Sequence, residues 1–481
     1  MTETKKTKNN TMLSAFSIIL ILIFALGVLS YILPIAQFNG DAIINGSGVV
    51  RAKISDILMS PILGFENAID VCIFVIILGG FLAIVTKTGA LETGIKVLVQ
   101  KLKGRETILI PILMFIFSLG GTTYGMLEET VGFYALLAAT MVAARMDTLV
   151  GASVILLGAG SGVLGSTINP FAVGAAVSAL PAGIEVNQGI IIGLGVLLWL
   201  TTLGISIFFV MRYAKKVQKD KGSTFLSLQE QKAMEETYGE EKEQTKAKLT
   251  SKQKLTLIIF ALTFLVMIIG FIPWGEFGIT IFDNFTGWLT GTPLGGWYFY
   301  EAALWFLIIS IIIAVINGYK EHEFVEIFVN GTKDMMSVVL VIAIARGASV
   351  LMQTTHLDNY IIYNTSEALK NMPAVIFGPA NYILHIILSV LVPSSSGLAT
   401  LSTPIIGPLA SNLGYSVEAT IMTLVAANGL VNLITPTCGA IMGGLALAKV
   451  EYGTWFKWAI KVVTTIAIVN ILILTFAMVI L

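Results

Sequence analysis

Two adjacent carboxylates, Glu128 and Glu129, interrupt an apolar, glycine-rich stretch, GGTTYGMLEETVGFY. A carboxylate held in a membrane costs about 2.5–3.5 kcal/mol on insertion scales, so its presence there points to a task. The task that suits it is accepting hydrogen bonds from an ammonium or guanidinium. Successive helical residues point about 100° apart, so one of the two glutamates faces a common site and the other does not. Arg346, in the run IAIARGAS, is a cation inside a second apolar stretch with no acid nearby in its own segment. It either neutralises one of the glutamates or grips a guest carboxylate through its planar fork; the sequence leaves both roles open. Hydroxyls and amides gather at four further places: Thr122 and Thr123; Ser166, Thr167 and Asn169; Ser394, Ser395, Ser396 and Thr400; Asn428, Asn432 and Thr435. Any one of them alone serves helix packing. Repeated in the same order in both halves of the chain, the clusters read as substrate-binding. Tyr124, Phe133 and Tyr134 either stack on a bound cation or pack, and His385, near Asn381, reads as a satisfied interior group.

The elements that must position these residues follow from composition. Of 481 residues 56% are hydrophobic and 12% charged, about half the charge of a soluble domain. The apolar residues fall in blocks long enough to cross a bilayer core of roughly 30 Å. That excludes a soluble enzyme, a nucleic-acid binder and a disordered chain, and identifies an all-α polytopic membrane protein. Basic and acidic residues balance at 29 each. Cys72 and Cys438 lie far apart in apolar segments, which makes a disulfide framework or a metal cluster unexpected.

Charge placement sets the order of spans. Lys5, Lys6 and Lys8 put the N-terminus in the cytoplasm, ahead of a span at about 13–36 and a mostly polar outer segment at 37–66. A span at 67–88 returns to a basic stretch with Lys96, Lys101, Lys103 and Arg105. Residues 106–145 read as a re-entrant hairpin, 148–180 as a helix broken near Gly165 and Pro170, and 189–211 as a closing span of the first half (1–211). Residues 212–254 hold 11 of the basic residues and seven acids and form a cytoplasmic linker. The second half (255–481) has spans at 255–273, 299–318 and 335–352, a hairpin at 373–413, a broken helix at 417–448 and a last span at 455–480. Its extra span before the hairpin reverses the sense of insertion, so the halves are inverted repeats, each with a re-entrant hairpin and a broken transmembrane helix. Such repeats mark secondary transporters.

A helix broken at mid-membrane exposes backbone N–H and C=O groups that lipid cannot satisfy. Half-helix N-termini attract anions, and unwound carbonyls attract cations. Two breaks and two hairpin tips therefore outline one polar site. Nucleotide-binding and catalytic-metal spacings are absent from the sequence, so neither enzyme activity nor a cofactor is expected.

The runs GMLEETVGFY, LLGAGSGVLGSTINPFAVG, PSSSGLATLSTPIIGPLA and GLVNLITPTCGAIMGGLALAKVEYG together resemble the YfcC family of bacterial carriers, related to the anaerobic C4-dicarboxylate carriers within the ion-transporter superfamily. Within that family the sequence is similar to arginine/ornithine antiporters. The resemblance implies an elevator-like or rocking carrier in the bacterial cytoplasmic membrane, commonly a homodimer, that exchanges arginine for ornithine without ATP. The tips GGTTYG and PSSSGL lack the Ser-Asn-Thr motif of sodium-coupled relatives. The expected partners are a small cationic amino acid and the lipid bilayer. The rival expectation is a sodium- or proton-coupled carrier of C4-dicarboxylates, with Arg346 and hydroxyls dominating the site.

Overall fold

In lipid the backbone must satisfy its own hydrogen bonds, so long apolar runs become helices. The computed structural model describes residues 15–39, 42–94, 97, 106–239, 248–272 and 274–481. Lys5, Lys6, Lys8, Lys96, Lys101, Lys103 and Arg105, which carry much of the orientation argument, lie outside the described residues. Among the described residues, eight helices are long and apolar enough to cross a membrane. The only sheet among the described residues is a two-residue ladder pairing Phe38–Asn39 with Ala42–Ile43.

The first half runs α1 (Ala15–Ile32), α2 (Ile54–Asn67) and α3 (Ile69–Lys87). Then come the hairpin arms α4 (Leu109–Tyr124) and α5 (Tyr134–Ala143), and a broken helix α6 (Thr148–Leu164) that resumes through a π-turn (Pro170–Gly174) into α7 (Ala175–Ser178). α8 (Gln188–Lys219) closes the half, and α9 (Leu228–Tyr238) lies in the linker. The second half runs α10 (Ser251–Phe271), α11 (Phe299–Asn317), α12 (Glu321–Thr355) and the short α13 (Leu357–Leu369). Its hairpin arms are α14 (Ala374–Leu391) and α15 (Ser395–Asn412), its broken helix α16 (Val417–Val431) and α17 (Gly439–Leu447), and α18 (Tyr452–Ile480) is last.

Three expectations need correction. Residues 37–66 are not simply a polar outer segment, because Ile54–Asn67 is a helix with Ile54, Leu58 and Ile62 exposed as apolar surface. The span expected at 335–352 is the distal part of a 35-residue helix. At 1.5 Å per residue that helix is about 52 Å long, more than the bilayer core is thick. The hydrophilic stretch expected from residue 212 begins only after Lys219, since α8 continues two turns further.

α2 and α3 form an interrupted rod that packs antiparallel along α12. The approach is close enough that a Cβ on Gly64 would sit 2.3 Å from the Ala343 carbonyl oxygen. The hairpins follow a different rule. The two arms of each hairpin pack on the broken helix of their own half, α4 and α5 on α6 and α14 and α15 on α16. Each second arm also meets the distal piece of the other half's broken helix: α5 meets α17, and α15 meets α7. The inverted repeat is thus visible in who touches whom.

Candidate functional site

The first hairpin turns at Gly125, whose φ of +82° is left-handed. A Cβ there would also lie 2.8 Å from the Asn169 amide nitrogen, so backbone and space both require glycine. After the turn, Glu128–Phe133 forms a 3₁₀ segment. Successive side chains diverge there, and the two acids part company. The Glu129 Oε2 accepts a hydrogen bond from the Leu127 N–H at 3.0 Å, and the residue is buried. Glu128 is half-buried, and its carboxylate has no ion pair within 4.0 Å among the described residues.

The tip is sewn to the break behind it. The Thr122 hydroxyl donates to the Gly165 carbonyl at 2.7 Å, and the Thr167 N–H and hydroxyl donate to the Thr122 carbonyl at 2.9 and 3.1 Å. Asn169 donates to the Ser166 hydroxyl at 2.9 Å, while its Oδ1 accepts from the N–H groups of Phe171 and Ala172 at 2.9 and 3.3 Å. These bonds satisfy backbone that the broken helix would leave orphaned.

The second hairpin does the same with different groups. Ser394 caps α15 by accepting from the Gly397 N–H at 3.2 Å. The Ser395 hydroxyl donates to Asn428 Oδ1 at 2.7 Å, and Asn432 donates to the Pro393 carbonyl and to Asn428 Oδ1, both at 3.1 Å. Thr437 donates to the Val390 carbonyl at 3.1 Å and shares a 2.7 Å contact with the Thr435 hydroxyl. Among the described residues, the buried Asn432 Oδ1 and Ser349 hydroxyl have no hydrogen-bond partner.

Between the two tips lies a cavity of about 330 Å³. Of the residues singled out in the sequence, Glu128, Glu129, Asn169, Arg346, Ser394, Ser395, Ser396 and Asn432 line it. Thr122, Ser166, Thr167, Asn428 and Thr435 stand behind them as supports. Thr123 and Thr400 bond to carbonyls one turn back in their own helices, at Leu119 and Ser396. Among the described residues, Arg346 has no ion pair within 4.0 Å. Tyr124 and Tyr134 are wholly buried, Tyr124 stacking on Phe271, and Phe133 packs on Phe264. His385 bonds to the Asn381 carbonyl and Ser402 hydroxyl and is buried, an interior group.

The cavity also contains residues that sequence reasoning passed over. Asp70 and Asn67 flank the interruption at Ala68 between α2 and α3. Tyr298 and Phe171 meet at 5.2 Å along its wall. An unexplained acid within three residues of Asn67, at the head of an apolar run, was the available signal for Asp70.

The cavity is lined by groups of both signs. Asp70, Glu128 and Glu129 supply three carboxylates. Against them stand the Arg346 guanidinium and the N-terminal ends of α15 and α17, whose first residues line the cavity. Each such end carries about half a positive charge. A guest carrying both an anionic and a cationic group suits this lining.

The family model for the C4-dicarboxylate anaerobic carriers (DcuC) matches residues 12–479 of this chain. An uncharacterized protein of Haemophilus influenzae is 30% identical over 422 residues, 88% of this chain and 78% of its own length. The putative basic amino acid antiporter YfcC of Escherichia coli is 25% identical over 404 residues, 82% of this chain and 74% of its own length. Among solved structures, the YdaH transporter of Alcanivorax borkumensis aligns with 96% of this chain and 98% of its own at a TM-score of 0.48 and 14% identity. MtrF of Neisseria gonorrhoeae aligns with 98% of this chain and 96% of its own at 0.46 and 16% identity.

Proposed function

We propose an amino-acid antiport activity for this chain, which belongs to the C4-dicarboxylate anaerobic carrier family and is a multi-pass membrane transporter. The favoured substrates are cationic amino acids, arginine entering in exchange for ornithine. The observation that carries this reading is the charge excess of the cavity. Three carboxyl groups, Asp70, Glu128 and Glu129, line it against one guanidinium and two helix N-termini, an acidic excess. A zwitterion with one additional positive charge neutralises it. The unpartnered Asn432 Oδ1 adds an acceptor, which suits a guest rich in N–H donors. A cavity of about 330 Å³ suits a single amino acid, near the lower end of small-molecule sites.

In this reading Asp70 and Glu128 receive the side-chain cation or α-ammonium. Arg346 and the α15 N-terminus with Ser394–Ser396 hold the α-carboxylate, and Asn169 and Asn432 orient the guest. Thr122, Thr123, Ser166, Thr167, Thr400, Asn428 and Thr435 act behind this layer by shaping the tips and breaks. Exchange follows because an empty site with surplus carboxylate is costly to carry across lipid, while either cationic substrate neutralises it. Similarity to a putative basic amino acid antiporter of Escherichia coli supports the cationic choice. The N-terminus on the cytoplasmic side and a homodimeric assembly complete the proposal.

A C4-dicarboxylate cargo is the second reading, favoured by the family description and by an Arg346 without an ion pair among the described residues. One experiment separates the two. Proteoliposomes are loaded with ornithine, arginine, fumarate or buffer, and entry of labelled arginine is followed. Ornithine and arginine loading should accelerate entry well above buffer, and fumarate should not. Equal entry under all four loadings would exclude exchange of cationic amino acids.

A further inference from the structure

The linker between the halves carries a set of buried bonds that the transport site does not use. Asp147 caps the start of α6 by accepting from the Val150 N–H at 3.0 Å, and it is buried. The same carboxylate accepts from the Tyr213 hydroxyl and, at 2.6 Å, from the hydroxyl of Thr224 in the linker. The Tyr213 hydroxyl in turn accepts from the Phe225 N–H at 3.1 Å, and the Tyr213 ring packs on Trp458 of α18. Gln218 donates to the Ala144 carbonyl at the end of α5.

Five residues beyond Phe225, the linker engages the other half. Glu230 is a second buried carboxylate, only 3% exposed although it lies in the hydrophilic stretch. It accepts from the Ser227 N–H at 2.6 Å, which caps its own helix α9. It also accepts from the Glu451 N–H at 2.7 Å and the Thr454 hydroxyl at 2.9 Å, which caps α18. One carboxylate thus closes two helix starts. Tyr238, at the end of α9, donates to the Leu447 carbonyl at 2.6 Å, where α17 ends.

We infer that residues 220–238 are a clamp that joins the hairpin and broken-helix ends of the two repeats into a single body. The elements it holds are the exit of the first hairpin, the entry of the first broken helix and the exit of the second. Every one of them contributes to, or continues directly into, the walls of the cavity. A passive tether would leave Glu230 in water; burying a carboxylate with three donors is the signature of a built joint. The bonds run in series through one short segment, so loosening one end frees the contacts at the other. Glu230 and Thr224 are positioning residues, and this role is independent of which substrate the cavity takes.

The test is hydrogen–deuterium exchange on the full-length, unliganded protein in nanodiscs, read at the end remote from each substitution. Glu230→Ala, which touches α18, should speed exchange across residues 148–154 of α6 by at least about fivefold. Thr224→Val, which touches α6, should do the same across 451–458 of α18. Tyr238→Phe removes a single hydroxyl and should loosen 148–154 even if Glu230→Ala yields no folded protein. Lys232→Ala, at an exposed position on the same helix, should change neither segment. If each substitution loosens only its own end, or if Lys232→Ala matches the others, the clamp is refuted.

Discussion

The two hairpin tips share an architecture and differ in chemistry. Each turns against the break of its own half and is sewn there by side chains bonded to orphaned backbone, Thr122 to Gly165 in one and Asn432 to Pro393 in the other. Yet the first tip presents acids, Glu128 and Glu129, and the second presents hydroxyls at a helix N-terminus, Ser394 to Ser396. An inverted repeat gives two equivalent positions around one cavity, and divergence at those positions gives the cavity two unlike poles. The lesson is that symmetry builds the site and its violation selects the guest.

The largest expected effect comes from removing the negative pole. Glu128→Gln should lower arginine exchange in proteoliposomes tenfold or more, since a hydrogen bond to a charged group is worth about 1.5–3 kcal/mol. Glu129 bonds to its own backbone, so Glu129→Gln should act more through tip geometry, lowering the maximal rate more than it raises the half-saturating concentration. Next, Arg346→Gln breaks the positive pole. Arginine affinity should fall about tenfold, while inhibition by agmatine, which lacks the carboxylate, should stay within twofold of the wild type. Equal losses for both ligands would take Arg346 away from the carboxylate. A smaller, structural loss is expected at the seam between tip and break. Gly125→Ala forces a left-handed φ costing about 1–2 kcal/mol and crowds Asn169, so a lower unfolding temperature by thermal shift should accompany slower transport. The smallest effect is at Thr400, whose hydroxyl bonds within its own helix: Thr400→Val should leave exchange within twofold.

Much of this comparison was legible before the fold was described. A polar, glycine-rich interruption between two apolar arms has few solutions in lipid, which is why 106–145 and 373–413 read as hairpins and GSTINPF and NLITPTCG as breaks. The layer behind the cavity was less legible. Thr122 and Thr167 look as capable of binding a guest as Ser395 does, and only the positions of orphaned carbonyls decide that they serve the backbone instead. Asp70 escaped because the interruption at Ala68 contains neither glycine nor proline, and α2 before it follows Lys53 and carries Asp56 and Glu66, which dilute its apolar pattern. Tyr298 escaped because it ends a loop without Lys or Arg and with no periodicity, and its place beside Phe171 depends on α11 lying against α3.

The central claim is that surplus carboxylate in the cavity selects a guest by its positive charge. Citrulline has nearly the shape of arginine and a neutral side chain, so the most direct measurement is the pair of dissociation constants for arginine and citrulline on purified protein. The account predicts at least tenfold tighter arginine binding in the wild type and near equality in Glu128→Gln. Equal affinity for the two ligands in the wild type, or tighter binding of fumarate than of either, would contradict it.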